Sequence, residues 1–105
     1  MNNMVLVYVT INTVDKAREL ARDLLHKKLV ACVNIVPAIE SMYIWDGAIA
    51  QDNEVVMIIK TLASRYDELQ AAIIAQHPYQ VPCILKIAAE ADSPFLDFVR
   101  RAVIE

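Results

Sequence analysis

The stretch His77-Pro78-Tyr79-Gln80-Val81-Pro82 decides the fold, because it forces a helix to stop and an extended strand to begin. Prolines four residues apart fix φ at two points, and each biases the residue before it, His77 or Val81, away from the helical region. His77 and Tyr79 are thereby held on a stiff connector. Stiff connectors that carry a His and a Tyr are where ligand contacts gather, since ordering them on binding costs little further entropy.

Upstream of the connector, Ser64 with Asp67 three residues on reads as a capping-box-like helix start, and Tyr66, Leu69, Ile73 and Gln76 then fall along one face. Downstream, Cys83 to Ala89 reads as a strand. Ser93-Pro94 supplies the N-cap and first position of a terminal helix whose apolar face carries Phe95, Leu96, Val99 and Ala102 or Val103. Between Leu29 and Leu62, two β-rich runs flank Asp46-Gly47, which holds the only glycine in the chain. Asp-Gly is a strong hairpin signal because a type I′ turn needs φ > 0 at both central residues. A two-residue turn pairs Trp45 with Ala48, Ile44 with Ile49 and Tyr43 with Ala50, and Pro37 is expected to introduce a bulge.

Met4 to Ile11 is a continuous β-branched and aromatic run, the mark of a central strand covered on its faces. Asn12 or Thr13 then caps a helix with Asp15 in its first turn. Val14, Ala17, Leu20, Ala21, Leu24 and Leu25 recur at helical spacing in it, and Lys27 and Lys28 close its negative end. The order β-α-β-β-α-β-α predicts an α+β, ferredoxin-like split β-α-β sandwich spanning residues 1–105 as one domain. It has a four-stranded antiparallel sheet, two helices on one face, a long β-hairpin and an added C-terminal helix. An arm from Cys32 to Trp45 would span about 45 Å at ~3.4 Å per residue, whereas a 100-residue domain has a radius of gyration of only about 13 Å. The hairpin must therefore bend or reach beyond its own domain.

The hydrophobic fraction of 57% is more than a chain of 105 residues can hide alone, and burial between subunits explains the excess, so a homo-oligomer is expected. Tyr43, Ile44 and Trp45 at the hairpin tip are the expected interface anchors. A net charge of -3, with no basic run longer than two, argues against nucleic acid. The N-terminus from Met1 lacks a basic segment and a cleavage site, and its apolar run is too short to span a membrane. Cys32 and Cys83 form no metal-binding or redox motif, which points to reduced thiols in the cytoplasm.

Lys60 interrupts an apolar run that Glu54 begins, and a charge in that context ordinarily finds an opposite partner. The sharper expectation is that Lys60, His77, Tyr79 and Trp45 converge from neighbouring subunits into a cleft for a small anionic ligand. His77, with Cys83 six residues on, is a candidate metal pair, two ligands short of the four a structural zinc takes. Catalysis by Tyr79 as acid and His77 as base lacks a nucleophile, a phosphate loop or a carboxylate pair, so no enzyme is expected.

Four segments in register carry a family resemblance: Leu29 to Pro37, Ser41 to Gly47, Glu54 to Thr61, and His77 to Pro82. Over nearly the whole chain the sequence resembles the CutA, or divalent-cation tolerance, proteins. The resemblance implies a homotrimer built by strand pairing of long hairpins and similar in architecture to the nitrogen-signalling PII proteins. It also implies a cytoplasmic role in tolerance and response to metal ions, copper included, with no required cofactor and no established reaction. Some members carry a Cys at the end of the first strand and a His before the His-Pro-Tyr motif as candidate copper ligands, where this chain has Val9 and Gln76. Cys83 replaces an acidic residue usual after the second proline, and Ala38 stands where Gly is frequent. The alternative is a trimeric scaffold or small-ligand signalling module resembling PII proteins, without a direct metal role.

Overall fold

Alternating side chains in the β-rich runs sort onto two faces of one sheet. The computed structural model describes residues 3–104, so the Met1-Asn2 part of the N-terminal reading and the last residue of the domain lie outside it. The strands are β1 (Met4–Ile11), β2 (Cys32–Trp45), β3 (Ala48–Leu62) and β4 (Ile84–Ala89). The helices are α1 (Val14–His26), α2 (Tyr66–Gln76) and α3 (Ser93–Ile104), with a 3-10 turn at Ala63–Arg65. The sheet order is β2-β3-β1-β4, and every neighbouring pair is antiparallel, as the split β-α-β reading requires.

The hairpin register is the expected one: Trp45 opposes Ala48, Ile44 opposes Ile49, and Tyr43 opposes Ala50. Asp46 and Gly47 both take positive φ, 50° and 78°. At Pro37 the ladder slips. Val36 opposes Val56 and Ile39 opposes Glu54, so Pro37 and Ala38 face Val55 alone and form a β-bulge. Pro cannot donate to the ladder, and a bulge is where that loss is tolerated. Beyond it the hairpin projects, and the molecule extends 45 Å in one direction against 24 and 23 Å in the others.

Odd-numbered residues of β1 (Val5, Val7, Val9, Ile11), with Val55, Met57 and Ile59 of β3, pack beneath α1 and α2. From the helices come Ala17, Leu20, Leu24, Leu69 and Ile73. The opposite face is covered at one end only, where α3 sets Val99 and Val103 against Met4 and Leu62. Val36, Leu85 and Ile87 stay exposed on the remainder of that face. No helix among the described residues is long and apolar enough to cross a membrane.

Thr13, rather than Asn12, caps α1, its hydroxyl accepting from the Lys16 N–H at 3.1 Å. At the other end, Leu29 N–H bonds Leu24 C=O and Lys28 N–H bonds Leu25 C=O. That pair is a Schellman closure with Lys28 at the left-handed position, φ 57°. Left-handed backbone costs a β-carbon-bearing residue roughly 1–2 kcal/mol, and the entropy of glycine returns only part of that. Lys28→Gly is expected to stabilise the protein by up to about 1 kcal/mol in urea unfolding with unchanged m.

Two local expectations need correction. Ser64 and Asp67 do not form a capping box, because the 3-10 turn delays α2 to Tyr66 and no side chain caps either start. The Arg65 guanidinium instead donates across the fold to Lys28 C=O, at 3.0 Å from its nearer nitrogen, and pairs with Glu68. Helix α3 begins at Ser93, one residue before Pro94, and Asp92 C=O accepts its first bond from Leu96 N–H, so Asp92 holds the cap position.

Candidate functional site

The hairpin, β1 and the proline connector together line an open cleft of about 620 Å³ on the face opposite α1 and α2. Its floor is Tyr8 and Thr10 of β1, its flank is the hairpin from Ile39 to Trp45 with Glu54, and its rim is Tyr79, Val81 and Cys83 of the connector. The bulge at Pro37-Ala38 lies at the base of the hairpin arm that flanks the cleft, and a bulge bends the strand that carries it.

The connector is clamped by three hydrogen bonds. His77 Nε2 lies 2.7 Å from the backbone oxygen of Thr10, and the Tyr79 N–H donates to His77 Nδ1 at 3.1 Å. A ring that accepts at Nδ1 and faces a carbonyl at Nε2 is the neutral tautomer protonated at Nε2, an assignment made from these partners. The Tyr79 hydroxyl donates to Glu54 Oε2 at 2.6 Å, and the rings of His77 and Tyr79 meet edge to face at 4.7 Å. One side chain thus ties the connector to β1 and the next ties it to β3.

Burial, and then the bond to the Glu54 carboxylate, push the Tyr79 phenol well above its ordinary value of 10.0. The Asp52 carboxylate, which accepts from the Tyr43 hydroxyl, raises that phenol too. A group whose folded pKa is raised contributes stability that is complete below the unfolded value and is lost as pH rises through the folded one. Unfolding stability is therefore expected to fall above about pH 10, and Tyr79→Phe should flatten part of that fall in alkaline denaturation curves. A decline of the same size in Tyr79→Phe would contradict the assignment.

The structure brings together only some of the residues singled out in the sequence. Trp45, Tyr43, Ile44, Tyr79 and Cys83 all line the cleft. His77 does not; it stands behind Tyr79 with both ring nitrogens engaged, so a metal ion at either would have to displace a bond. Among the described residues, no three His, Cys, Asp or Glu side chains are grouped to hold a metal ion. Lys60 lies at the far end of the same sheet face, its ammonium 5.7 Å from the centroid of the Phe95 ring in α3. Six residues of strand, about 20 Å, separate it from Glu54, so the two charges do not pair and Lys60 is outside this chain's cleft.

Glu54 is the residue whose role in the cleft the sequence did not disclose. It is only 9% exposed and belongs to the wall. The available signal was a carboxylate opening an otherwise apolar strand, but its phenolic partner lies 25 residues away and no local pattern names it.

A family model for the CutA1 divalent ion tolerance protein matches residues 5–102. The divalent-cation tolerance protein CutA of Thermus thermophilus is 36% identical over 96 residues, covering 90% of this chain and 93% of that protein. Its counterpart in Archaeoglobus fulgidus is 39% identical over 98 residues, covering 92% and 95%. The solved structure described as the periplasmic divalent cation tolerance protein of A. fulgidus superposes with a TM-score of 0.92 at 37% identity, over 95% of this chain and 98% of that one. The chain spans only about half the length of its plant and human relatives, 54% for the chloroplastic protein of Arabidopsis thaliana and 53% for the Homo sapiens protein.

Proposed function

Because this chain belongs to the CutA1 divalent ion tolerance family, we propose that it works as a homotrimer that contributes to divalent-cation tolerance by binding a small ligand in the cleft, without catalysing a reaction. The observation that carries the assembly is the hairpin tip. Met42, Ile44, Trp45 and Ile49 are 66%, 69%, 48% and 74% exposed on a projecting two-stranded arm. Four large apolar side chains there, beside an apolar sheet face that α3 covers only at one end, are what an obligate interface leaves when its partners are removed. Light scattering of the purified protein is expected to give three times the 11.8 kDa chain mass. A monomer at micromolar concentration would overturn the reading.

The candidate pair His77 and Cys83 does not suit a resident copper ion within one chain, since both imidazole nitrogens are committed to Thr10 and Tyr79. Calorimetric titration of the trimer with Cu²⁺ and Zn²⁺ is expected to show no saturable site that depends on His77 or Cys83. A stoichiometric site lost in His77→Ala or Cys83→Ala would return the metal to that pair. The two free thiols fit a reducing compartment, and cytoplasmic residence is part of the reading. Relatives are described as chloroplastic or periplasmic, so cell fractionation decides the point.

A further inference from the structure

Lys60 and Arg65 are the half-buried basic side chains among the described residues. Arg65 pairs with Glu68, whereas no ion pair of the described residues includes Lys60, whose ammonium faces the Phe95 ring. Its row across the sheet is Cys32, Lys60, Leu6 and Ile87, on the face where Ile87 and Leu85 stand exposed. A partner that covers those side chains also strips water from Lys60, and a charge desolvated without a counter-charge is costly. The chain's own hairpin does not supply one. From Leu29 to Ile59 it holds four carboxylates, Glu40, Asp46, Asp52 and Glu54, and no Lys or Arg. Asp52 and Glu54 accept from the Tyr43 and Tyr79 hydroxyls, and Asp46 is held in the turn at positive φ. Glu40 stands exposed on β2, and its carboxylate enters no ion pair among the described residues. It opposes Asn53, seven residues along β3 from Lys60 and so about 24 Å away along the strand. Strand alternation puts Glu40 on one face of the arm with Met42, Ile44 and Ile49, among the most exposed apolar side chains of the molecule.

We propose that Lys60 of each subunit pairs with Glu40 of the next subunit's hairpin, so that this face of the arm lies on the bare sheet face of its neighbour. The inference deepens the trimer reading above and rests on it. Charge complementarity selects a second copy of this chain as the occupant. The arm carries carboxylates and no cation, the sheet end around Lys60 carries a cation without an anion, and one chain holds both halves. The contact is heterologous, arm to sheet, and closing the ring at three copies gives three equivalent pairs. Apolar surfaces alone leave the arm free to slide along the strands, and one charged pair fixes its register. Lys60 is thereby committed to the assembly, and not to the anionic ligand expected from the sequence.

Native mass spectrometry of unlabelled protein mixed with isotopically labelled protein tests the pairing, because it reads both the assembly mass and the half-time of subunit exchange. Circular dichroism follows the fold of each sample. Lys60→Gln and Glu40→Gln are each expected to shorten the half-time at least about fivefold, since loss of an interfacial pair acts mainly on dissociation. The double variant should exchange no faster than the faster single one, because one pair cannot be lost twice. Lys60→Glu should speed exchange further or leave monomers. Glu40→Lys added to it in the same chain should restore the trimer, each interface then holding the pair reversed, and Asp52→Lys in its place should not. The neutral variants introduce no repulsion, so their result stands even where Lys60→Glu fails to fold. Unchanged exchange in both neutral variants, additive losses in the double one, or rescue by Asp52→Lys and not by Glu40→Lys would each overturn the pairing and leave the trimer standing. A monomeric wild-type protein removes the assembly and the pairing together.

Discussion

Placing carboxylates at the hairpin tip, Ile44→Asp with Ile49→Asp, is expected to convert the proposed trimer to monomers while leaving the fold of each chain intact. The two positions oppose each other across the turn and are among the most exposed large apolar residues in the molecule. Burying the four apolar side chains of one tip is worth roughly 5 kcal/mol at the usual area coefficient, given that each is already partly covered. Two carboxylates buried there without partners would cost several kcal/mol each, and the sum reverses sign. Nothing beneath these positions belongs to either core cluster, so circular dichroism should be unchanged. Ile74→Asp is the control, since Ile74 is an exposed isoleucine on α2, away from the tip, and should leave the trimer whole. Sedimentation equilibrium at micromolar concentration reads the outcome, and a persistent trimer in the double variant would remove the hairpin from the interface.

The elements that were legible in the sequence are those fixed by local chemistry. Asp46-Gly47 set the turn type, hence the register of the whole outer hairpin, and Pro37 marked the bulge because it has no N–H to give the ladder. The run from Met4 to Ile11 announced a strand with neighbours on both edges, and it pairs with β3 and β4. What was not legible depends on contacts between distant parts of the chain. Ser64 looked like a cap until Arg65 reached 37 residues back to Lys28, a tertiary bond that a short motif cannot foresee. Lys60 looked like half of an ion pair, yet it settles over an aromatic ring supplied by the last helix. Trp45 and Tyr79 line one cleft within a single chain, whereas the expectation from the sequence was a cleft between neighbouring subunits. The role of Glu54 in that wall went unread because strand alternation places it on a face without saying what that face meets.

Replacing His77 by Ala is expected to destabilise the protein by about 2–3 kcal/mol, because it deprives both the Thr10 carbonyl and the Tyr79 amide of a part-buried partner. The loss should be local before it is global: amide exchange at Tyr79 should quicken by orders of magnitude while the amides of Val7 and Ile59, at the centre of the sheet, keep their protection. Tyr79→Phe removes a different bond of the same clamp and leaves Glu54 buried without its donor, with a cost of similar size. Both side chains hold one connector, so the double variant should be less destabilised than the sum, with a coupling of about 0.5 kcal/mol or more. Additive losses would mean that His77 and Tyr79 anchor the chain independently. If His77→Ala changed neither stability nor exchange, the prolines alone would be holding the connector and the imidazole would be free for a ligand. The clamp reading places His77 in the framework that supports the cleft wall, and this pair of variants separates that role from direct contact.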